Sequence, residues 1–221
     1  MSVMVVIPER NERETIGDLV SAARAWAPVL VMDDGSSDGT GEIAAERGAK
    51  VIRHEVGRGI GPTVLEGLRL ASSMGAARVV VMDAGGSHDP QQIGALLARR
   101  ADLVIGSRFC AGGAYLGGKR WRRMASRWYA RACNLAQRGN PISDWTSGYR
   151  AYSARVIEAL GRRTFEARMH GWQVEALARV REAGLSVAEA PITYVAGRSS
   201  ARMSTVMELI GVWLQIADHM G

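Results

Sequence analysis

The sequence has few of the features that an oxidising or a membrane environment requires. Among 221 residues there are two cysteines, Cys110 and Cys133, so a disulfide framework is not needed and a reducing compartment is expected. No run of about 18 uncharged apolar residues occurs, which predicts no membrane-spanning helix. Residues 1–8 enter a strand-like pattern without a basic leader or a cleavage site, so we expect no secretory signal and a cytoplasmic protein.

Acidic residues are missing from one long stretch of the chain. No Asp or Glu lies between Asp102 and Asp144. The same stretch carries eight positive charges, at Arg108, Lys119, Arg120, Arg122, Arg123, Arg127, Arg131 and Arg138. Since the net charge of the whole chain is +6, the remainder is slightly negative, and the basicity belongs to this segment. No recognised nucleic-acid motif or aromatic stacking platform accompanies it, so we expect no nucleic-acid partner.

Length and composition predict an α/β fold with one main core. A content of 47% apolar and 23% charged residues is typical of soluble globular proteins. Short apolar runs, which predict buried strands, alternate with segments of helical spacing. The predicted strands are 3–7, 29–32, 50–52, 77–82 and 103–106, and the predicted helices are 14–26, 41–47, 62–74, 91–100, 120–138 and 173–183. Such alternation predicts a mostly parallel sheet flanked by helices.

Three of the predicted strands run into acidic or polar loops. These loops begin at Pro8, Asp33 and Asp83. Because the carboxyl ends of parallel strands meet at one edge of a sheet, we expect the three loops to form one site.

Two common ligand motifs are incomplete in this sequence. Residues 34–39 resemble the start of a calcium loop, but Ala45 stands where that loop needs a glutamate. Residues 57–62 resemble a dinucleotide fingerprint, but Pro62 replaces its last glycine. Neither a calcium loop nor a nicotinamide site is therefore expected.

Seven other motifs occur in order along nearly the whole chain. They lie at 7–12, 33–40, 59–61, 82–84, 87–90, 106–109 and 144–150, and read IPERNE, DDGSSDGT, GIG, MDA, SHDP, GSRF and DWTSGYR. In this order they resemble the family-2 inverting glycosyltransferases, and within these the polyprenyl (dolichyl) phosphate mannose synthase group. The resemblance implies a GT-A fold, with a Rossmann-like, mostly parallel sheet flanked by helices.

The resemblance also implies a nucleotide-sugar site at the sheet edge. By their places in the motifs, the residues assigned to it are Pro8, Arg10, Glu12, Asp34 and Asp83. A nucleotide sugar offers ribose hydroxyls to carboxylates and a diphosphate to cations, which agrees with acids at the strand ends. For Glu12 the alternative is capping of the following helix.

One carboxylate of the family pattern is absent. The family has Asp-x-Asp in the loop after the fourth strand, with a divalent cation between the carboxylates and the diphosphate. Here Gly85 stands in place of the second Asp. We therefore expect Mg²⁺ or Mn²⁺ to bind weakly at Asp83, with the Ser87 hydroxyl as a further ligand, or to be dispensable. A cation such as Arg108 would then supply part of the charge stabilisation.

Acceptor residues are implied within the basic segment. The resemblance assigns Arg108, Arg122 and Ser126 to an acceptor phosphate. Arg122 and Ser126 are four residues apart and so share one face of the predicted helix. The alternative for the other arginines of this helix is a surface that faces solvent or phospholipid. Asp83, Arg108 and Asp144 are the expected catalytic residues, with Asp144 as the base if the acceptor is a hydroxyl.

The C-terminal segment is predicted to be a distinct amphipathic helix over 205–221, after a glycosyltransferase domain over 1–204. Between 206 and 216 the only charged residue is Glu208. The apolar residues there are Val206, Leu209, Ile210, Val212, Trp213, Leu214 and Ile216. A broad apolar face of this kind is typical of a helix that lies on a membrane or is buried against a partner.

Taken with the resemblance, the sequence predicts an inverting transferase that moves a hexose to a polyprenyl phosphate. The expected donor is GDP-mannose, and the expected location is the cytoplasmic face of the membrane, as a peripheral protein. Two alternatives stay open: a soluble transferase that uses a UDP- or GDP-sugar with a small-molecule acceptor, and a catalytically weakened subunit that binds nucleotide sugars. The oligomeric state is left open as well.

Overall fold

The computed structural model describes residues 2–137, 139–167, 169, 171–196 and 203–218, with the backbone alone at 203–206 and 218. The strands are β1 (Val3–Glu9), β2 (Val29–Asp33), β3 (Lys50–Arg53), β4 (Arg78–Val81), β5 (Leu103–Ser107), β6 (Ala114–Leu116), β7 (Arg150–Ser153), β8 (Val187–Pro191) and β9 (Thr193–Val195). The helices are α1 (Ile16–Ala23), α2 (Thr40–Glu46), α3 (Ile60–Ser73), α4 (Ile93–Leu97), α5 (Arg120–Leu135), α6 (Ala154–Gly161), α7 (Trp172–Glu182) and α8 (Met203–Asp218).

Seven strands form a central sheet in the order β3-β2-β1-β4-β7-β5-β8. Neighbouring strands are parallel except at β7, which runs antiparallel to both β4 and β5. Strands β6 and β9 form a separate parallel pair. The mostly parallel α/β sheet expected from the sequence is confirmed, and β1, β2 and β5 are buried on both faces because their residues are apolar at successive positions.

The strand order places a crevice between β1 and β4. From β1 the chain adds β2 and β3 on one side, and β4 then pairs with β1 on the other side. At such a switch point the loops that leave the two strand ends diverge, and ligands bind between them. Because β7 is antiparallel and Arg150 pairs with Val81, the turn that precedes β7 reaches the same edge.

Some element bounds differ from the sequence prediction. The predicted helix at 91–100 is a 3₁₀ turn, Pro90–Gln92, followed by the short helix α4. Asp89 begins this turn, because its carboxylate accepts a hydrogen bond from the backbone N–H of Gln91. Helix α1 ends at Ala23 instead of continuing to Trp26. Strands β6, β7, β8 and β9 and helix α6 were not predicted.

Helix α8 packs onto the rest of the chain through one side. It begins at Met203, two residues before the predicted boundary. Val212 and Ile216 are buried in the core that α7 also enters. The backbone N–H groups of Met169 and Gly171 donate to the Glu208 carboxylate. Part of the apolar face predicted to meet a membrane or a partner thus packs against the core of the same chain.

The other side of α8 remains exposed. Its exposed apolar side chains are Met207, Ile210 and Leu214. The Tyr129 hydroxyl of α5 donates to the Leu209 carbonyl at 2.7 Å, so α5 and α8 are neighbours. Among the helices that the structure describes, none is long and apolar enough to cross a membrane. Arg138 of the basic stretch lies outside the described residues.

Candidate active site

Glu12 lies in the loop after β1, at the crevice. Its backbone N–H donates to the Thr40 hydroxyl at 3.0 Å, which fixes the loop to α2. The Thr15 hydroxyl donates to Glu12 Oε2 across 3.4 Å. Burial raises the pKa of the Glu12 carboxyl, and the nearby carboxylates of Asp38 and Asp83 raise it further. Glu12 therefore lies near Asp38 on its own side of the crevice and near Asp83 on the other side.

The side chain of Glu12 does not cap α1. Thr15 precedes the first residue of that helix, and its side chain makes no capping hydrogen bond. The Glu12 backbone carbonyl accepts from Thr15 and Ile16, whereas its carboxylate accepts no backbone N–H among the described residues. The capping alternative considered for Glu12 is thus wrong, and the carboxylate is available to the crevice.

Asp83, on the opposite side of the crevice, is fixed by its backbone. Its N–H donates to Nδ1 of His88 at 3.0 Å. The His88 ring stacks on Tyr149 with 4.7 Å between ring centroids, and burial lowers the pKa of His88. Nδ1 is thus held as an acceptor on a neutral ring. The Asp83 side chain is 44% exposed, so its carboxylate faces the open crevice.

A close backbone approach brings the turn before β7 up to Asp83. A Cβ atom added at Gly148 would lie 3.1 Å from Asp83 Oδ1 and 3.4 Å from Gln173 Nε2. Ser147 Oγ and Gln173 Oε1 are buried and have no hydrogen-bond partner among the described residues. The absence of a side chain at residue 148 therefore leaves room for the Asp83 and Gln173 side chains beside this turn.

Position 85 offers no ligand of its own. A Cβ atom added at Gly85 would lie 3.4 Å from Glu12 Oε1 and 3.8 Å from Glu12 Oε2. Ser87 is buried, and its carbonyl accepts from the N–H of Val195. In the described part of the chain, no three His, Cys, Asp or Glu side chains are grouped as a metal site.

Asp34 is surrounded by hydrogen-bond donors. The backbone N–H groups of Arg58 and Gly59, the Thr63 hydroxyl and Nδ1 of His54 approach its carboxylate at 2.8 to 2.9 Å. Burial alone would raise the pKa of Asp34, but these hydrogen bonds hold it below its usual value. This geometry favours Asp34 as a residue that holds the loop before α3 and the first turn of that helix in place, over a direct ligand of the nucleoside.

Glu9, at the end of β1, is a buried acid that the sequence reasoning did not single out. The Ser36 hydroxyl donates to Glu9 Oε2 at 3.1 Å, and the Ser36 N–H donates to Asp33 Oδ1 at 2.7 Å. Burial and the adjacent Asp33 carboxylate raise the pKa of Glu9 to about 8. Of its neighbours assigned to the donor, Pro8 is buried near the end of β1, and Arg10 is exposed with its guanidinium beside Gly57.

Arg108 and Asp144 form a buried ion pair where β5 ends. Arg108 Nε donates to Asp144 Oδ2 at 2.7 Å and Nη2 donates to Oδ1 at 2.6 Å, while Nη2 also donates to Thr146. Burial would raise the pKa of Asp144, but the Arg108 charge holds it below its usual value. Glu189 on β8 accepts from the N–H of Asp144. A carboxylate held in this way does not favour the base role suggested for a hydroxyl acceptor.

Aromatic rings surround the Arg108 guanidinium. Its central carbon lies 5.0 Å from the ring centroid of Phe109, 5.3 Å from that of Tyr194 and 5.7 Å from that of Tyr115. The two tyrosines lie on β6 and β9. The sequences of these short segments gave no sign that the two strands pair. On α5, Arg127 lies 5.5 Å from the Phe109 ring centroid, so the basic helix is adjacent to Arg108.

The acceptor residues expected on α5 occupy one face of that helix. Arg122 and Ser126 are both half-buried, whereas Arg123 and Arg127 are exposed. The Arg122 guanidinium carbon lies 5.6 Å from the Trp121 ring centroid. The structure thus brings α5 beside Arg108 through Phe109, as an acceptor site shared between them requires.

Arg150 joins the turn before β7 to α7. The side chain is fully buried and donates to the carbonyls of Ser147, Trp145 and Gln173 at 2.6 to 2.8 Å. Burial lowers the pKa of Arg150. Three carbonyl partners on two segments fix the position of the turn beside both Asp83 and Asp144.

The sheet order, the crevice at the switch point and the acidic loop after β4 define a GT-A glycosyltransferase. The family model for "Glycosyl transferase family 2" matches residues 4–161. The chain belongs to this family and is a family-2 glycosyltransferase.

Two curated relatives are similar over most of the chain. One is the undecaprenyl-phosphate mannosyltransferase of Micrococcus luteus, 37% identical over 205 residues, which are 88% of this chain and 84% of that protein. Another is the polyprenol monophosphomannose synthase of Mycolicibacterium smegmatis, 34% identical over 203 residues, 86% of this chain and 76% of that protein.

Solved structures show the same fold. Glucosyl-3-phosphoglycerate synthase from Mycobacterium tuberculosis, in complex with phosphoglyceric acid, has a TM-score of 0.76 and 22% identity, covering 98% of this chain and 80% of that one. The same enzyme with Mn²⁺, UDP-glucose and phosphoglyceric acid has a TM-score of 0.75, with the same identity and coverage. At this identity the likeness carries the GT-A fold alone.

Proposed function

We propose that the protein transfers mannose from GDP-mannose to a polyprenyl phosphate, with inversion at the sugar. The observation that carries the proposal is the identity of 37% and 34% to two relatives named for this sugar and this class of acceptor. Each alignment covers more than three-quarters of both proteins.

The ion pair at the end of β5 supports an acceptor that brings its own negative charge. A hydroxyl acceptor needs a base to remove its proton, and Asp144 is already bound by Arg108 through two side-chain hydrogen bonds. A phosphate is anionic at neutral pH, so correct placement is sufficient for attack on the sugar. In this proposal Asp144 positions Arg108.

The acceptor phosphate is assigned to Arg108, Arg122 and Ser126. Arg127 and Arg108 both lie against the Phe109 ring, which places α5 next to the end of β5. Guanidinium groups and a hydroxyl are suitable donors for phosphate oxygens, and charge-assisted hydrogen bonds of this kind are short and strong.

The donor is assigned to the crevice between β1 and β4. Pro8 and Arg10 would bind the nucleoside, Asp34 would brace the loop beneath it, and Asp83 would face the diphosphate and the sugar. When bound, a divalent cation would offset the diphosphate charge as the glycosyl bond breaks. The residues that would hold it are Asp83 and Glu12, whose carboxylate lies beside Gly85.

A membrane surface is the proposed site of action. The outward face of α5 carries Trp121, Met124 and Trp128, and α8 exposes Met207, Ile210 and Leu214. Exposed arginines of α5 accompany them, namely Arg120, Arg123, Arg127 and Arg131. Apolar side chains with cations beside them fit the headgroup boundary of an anionic bilayer, where a polyprenyl phosphate is found. We therefore propose peripheral binding at the cytoplasmic face.

Transfer assays test this function. Purified protein is incubated with GDP-mannose, GDP-glucose, UDP-glucose or UDP-mannose, and with a short polyprenyl phosphate or 3-phosphoglycerate. We expect a mannosyl lipid from GDP-mannose with the polyprenyl phosphate, and none from the Asp83→Asn variant. Transfer to the water-soluble acceptor alone would support the soluble transferase. Binding of GDP without transfer or donor hydrolysis would support a subunit that binds nucleotide sugars.

A further inference from the structure

We propose that Glu12 supplies the carboxylate that position 85 lacks, so that a divalent cation is held between the loop after β1 and the loop after β4. The inference rests on the proposed function, because it concerns the cation that would accompany the donor diphosphate. In the family pattern both acids come from the loop after β4. Here the second acid would come from Glu12, on the opposite side of the crevice from Asp83.

The space around Gly85 carries the argument. A Cβ atom at residue 85 would lie in van der Waals contact with Glu12 Oε1, at 3.4 Å, and its three nearest atoms would all belong to the Glu12 carboxylate. Gly85 is not among the glycines with a positive φ, so its backbone does not require glycine. The Glu12 carboxylate, from the loop after β1, therefore lies beside the position at which a second acid of the Asp83 loop would stand.

The oxygen atoms in this place are available to a ligand. Glu12 Oε1, the oxygen nearest to residue 85, accepts no hydrogen bond from the described residues. Within the same part of the chain, neither oxygen of the Asp83 carboxylate accepts a hydrogen bond, and Nδ1 of the neutral His88 ring lies 3.7 Å from Oδ2. Neither acid forms an ion pair with a described Arg or Lys side chain.

Electrostatics then favours a cation between the two acids. Two carboxylates without a basic partner face the crevice that the donor diphosphate, itself an anion, would enter. Like charges brought together out of bulk water repel each other unless an opposite charge is placed between them. Carboxylate and diphosphate oxygens are the ligands that Mg²⁺ and Mn²⁺ prefer, with water completing the coordination. The donor set fits such a cation.

Binding of Mn²⁺ in the presence of GDP, followed by the EPR signal of free Mn²⁺, tests the inference without a turnover measurement. We expect Glu12→Gln to weaken Mn²⁺ binding at least tenfold. Glu14→Gln is the matched control, because Glu14 is an exposed acid in the same loop, and it should bind Mn²⁺ as the wild type does. The double variant Glu12→Ala/Gly85→Asp should bind Mn²⁺ more tightly than Glu12→Ala alone, because alanine vacates the space beside residue 85 and the new carboxylate can enter it.

Three results would overturn the inference. The first is unchanged Mn²⁺ affinity in Glu12→Gln. The second is Mn²⁺ binding that appears only when Gly85→Asp is introduced into the wild type. The third is an equal loss of metal-free GDP affinity in Glu12→Gln, which would make Glu12 a nucleoside ligand. Thermal unfolding of each variant verifies that it is folded.

The outcome is separable from that of the proposed function. A wild-type protein that makes the mannosyl lipid but binds no Mn²⁺ with GDP would contradict this inference and leave the proposed function intact. Mn²⁺ binding that follows the expected order of variants, without any transfer to polyprenyl phosphate, would contradict the proposed function alone.

Discussion

The Arg108 side chain donates two hydrogen bonds to the Asp144 carboxylate, of 2.7 and 2.6 Å. The Arg108 backbone N–H donates a third to the same carboxylate, at 3.0 Å. Both side chains are buried, so the pair is protected from solvent screening. The relationship makes Asp144 a positioning residue in the proposed reaction.

Asp144→Asn should destabilise the fold by about 3–5 kcal/mol, because it leaves the buried Arg108 charge without a counter-charge. Urea unfolding measures the change. The control is Glu158→Gln, whose ion pair with Arg162 lies on the surface, and it should change stability by less than about 1 kcal/mol. The pH profile of mannosyl transfer should keep its shape in Asp144→Asn. Loss of an acidic limb from that profile would identify Asp144 as a base and contradict the positioning role.

Arg122→Ala should weaken the use of polyprenyl phosphate while leaving GDP binding nearly unchanged. A charge-assisted hydrogen bond contributes about 1.5–3 kcal/mol, so kcat/KM for the lipid should fall roughly ten- to hundredfold. Titrations with GDP and with the lipid phosphate separate the two effects. Arg100→Ala, at an exposed arginine outside α5 and α8, should affect neither by more than about twofold. Equal losses for donor and acceptor would remove Arg122 from the acceptor site.

Glu9→Gln should remove a pH dependence of stability. The ordinary pKa of the Glu9 carboxyl is 4.5 and its folded value is about 8, so the folded state keeps a proton that the unfolded state releases. The free energy of unfolding contributed by this group therefore falls as the pH rises from about 4.5 to 8. We expect the free energy of unfolding to fall less steeply with pH in Glu9→Gln and as steeply as in the wild type in Glu14→Gln. Denaturant titrations at several pH values measure both. An identical slope in the wild type and in Glu9→Gln would show that Glu9 is ionised in the fold.

Ile210→Ser with Leu214→Ser should reduce binding to anionic vesicles, because both side chains are about half exposed on α8. Sedimentation with vesicles at low salt measures it, and high salt should release the wild type. Val56→Ser is the control, since Val56 is exposed but lies outside α5 and α8. The more inward Leu209 and Trp213 are poorer choices, because they pack against the core. Wild-type protein that sediments with no vesicle would contradict a membrane site.

The sequence was sufficient for the features that depend on local patterns. Continuous apolar runs predicted β1 to β5, and turn residues after them marked where the loops begin. A strand whose successive side chains are all apolar must be covered on both faces, so it is expected inside a sheet flanked by helices. The order of motifs likewise predicted the family, and the family model confirmed it.

Other features depend on contacts between distant segments. Strands β6 and β9 have three residues each and pair across the chain, so their aromatic cage around Arg108 had no local signal. The hydrogen-bond donors around Asp34 were also not visible in the sequence, since they come from Arg58 and Gly59 in the loop before α3 and from Thr63 in its first turn. For α8 the apolar pattern alone did not distinguish the face that packs on the core from the exposed face.

The position of β7 has a consequence for how the chain is made. Strands β4 and β5 are not neighbours, because each pairs with β7 between them. All four strands from β3 to β4 in the sheet precede β5 in the chain, whereas β5 is joined to them only through Arg150–Ser153, which is synthesised later. Until then the β4 edge presents unpaired backbone groups, as an open sheet edge does. The half of the sheet that precedes Arg108 therefore joins the first half only through one antiparallel strand, and β8 completes its outer edge later in the chain.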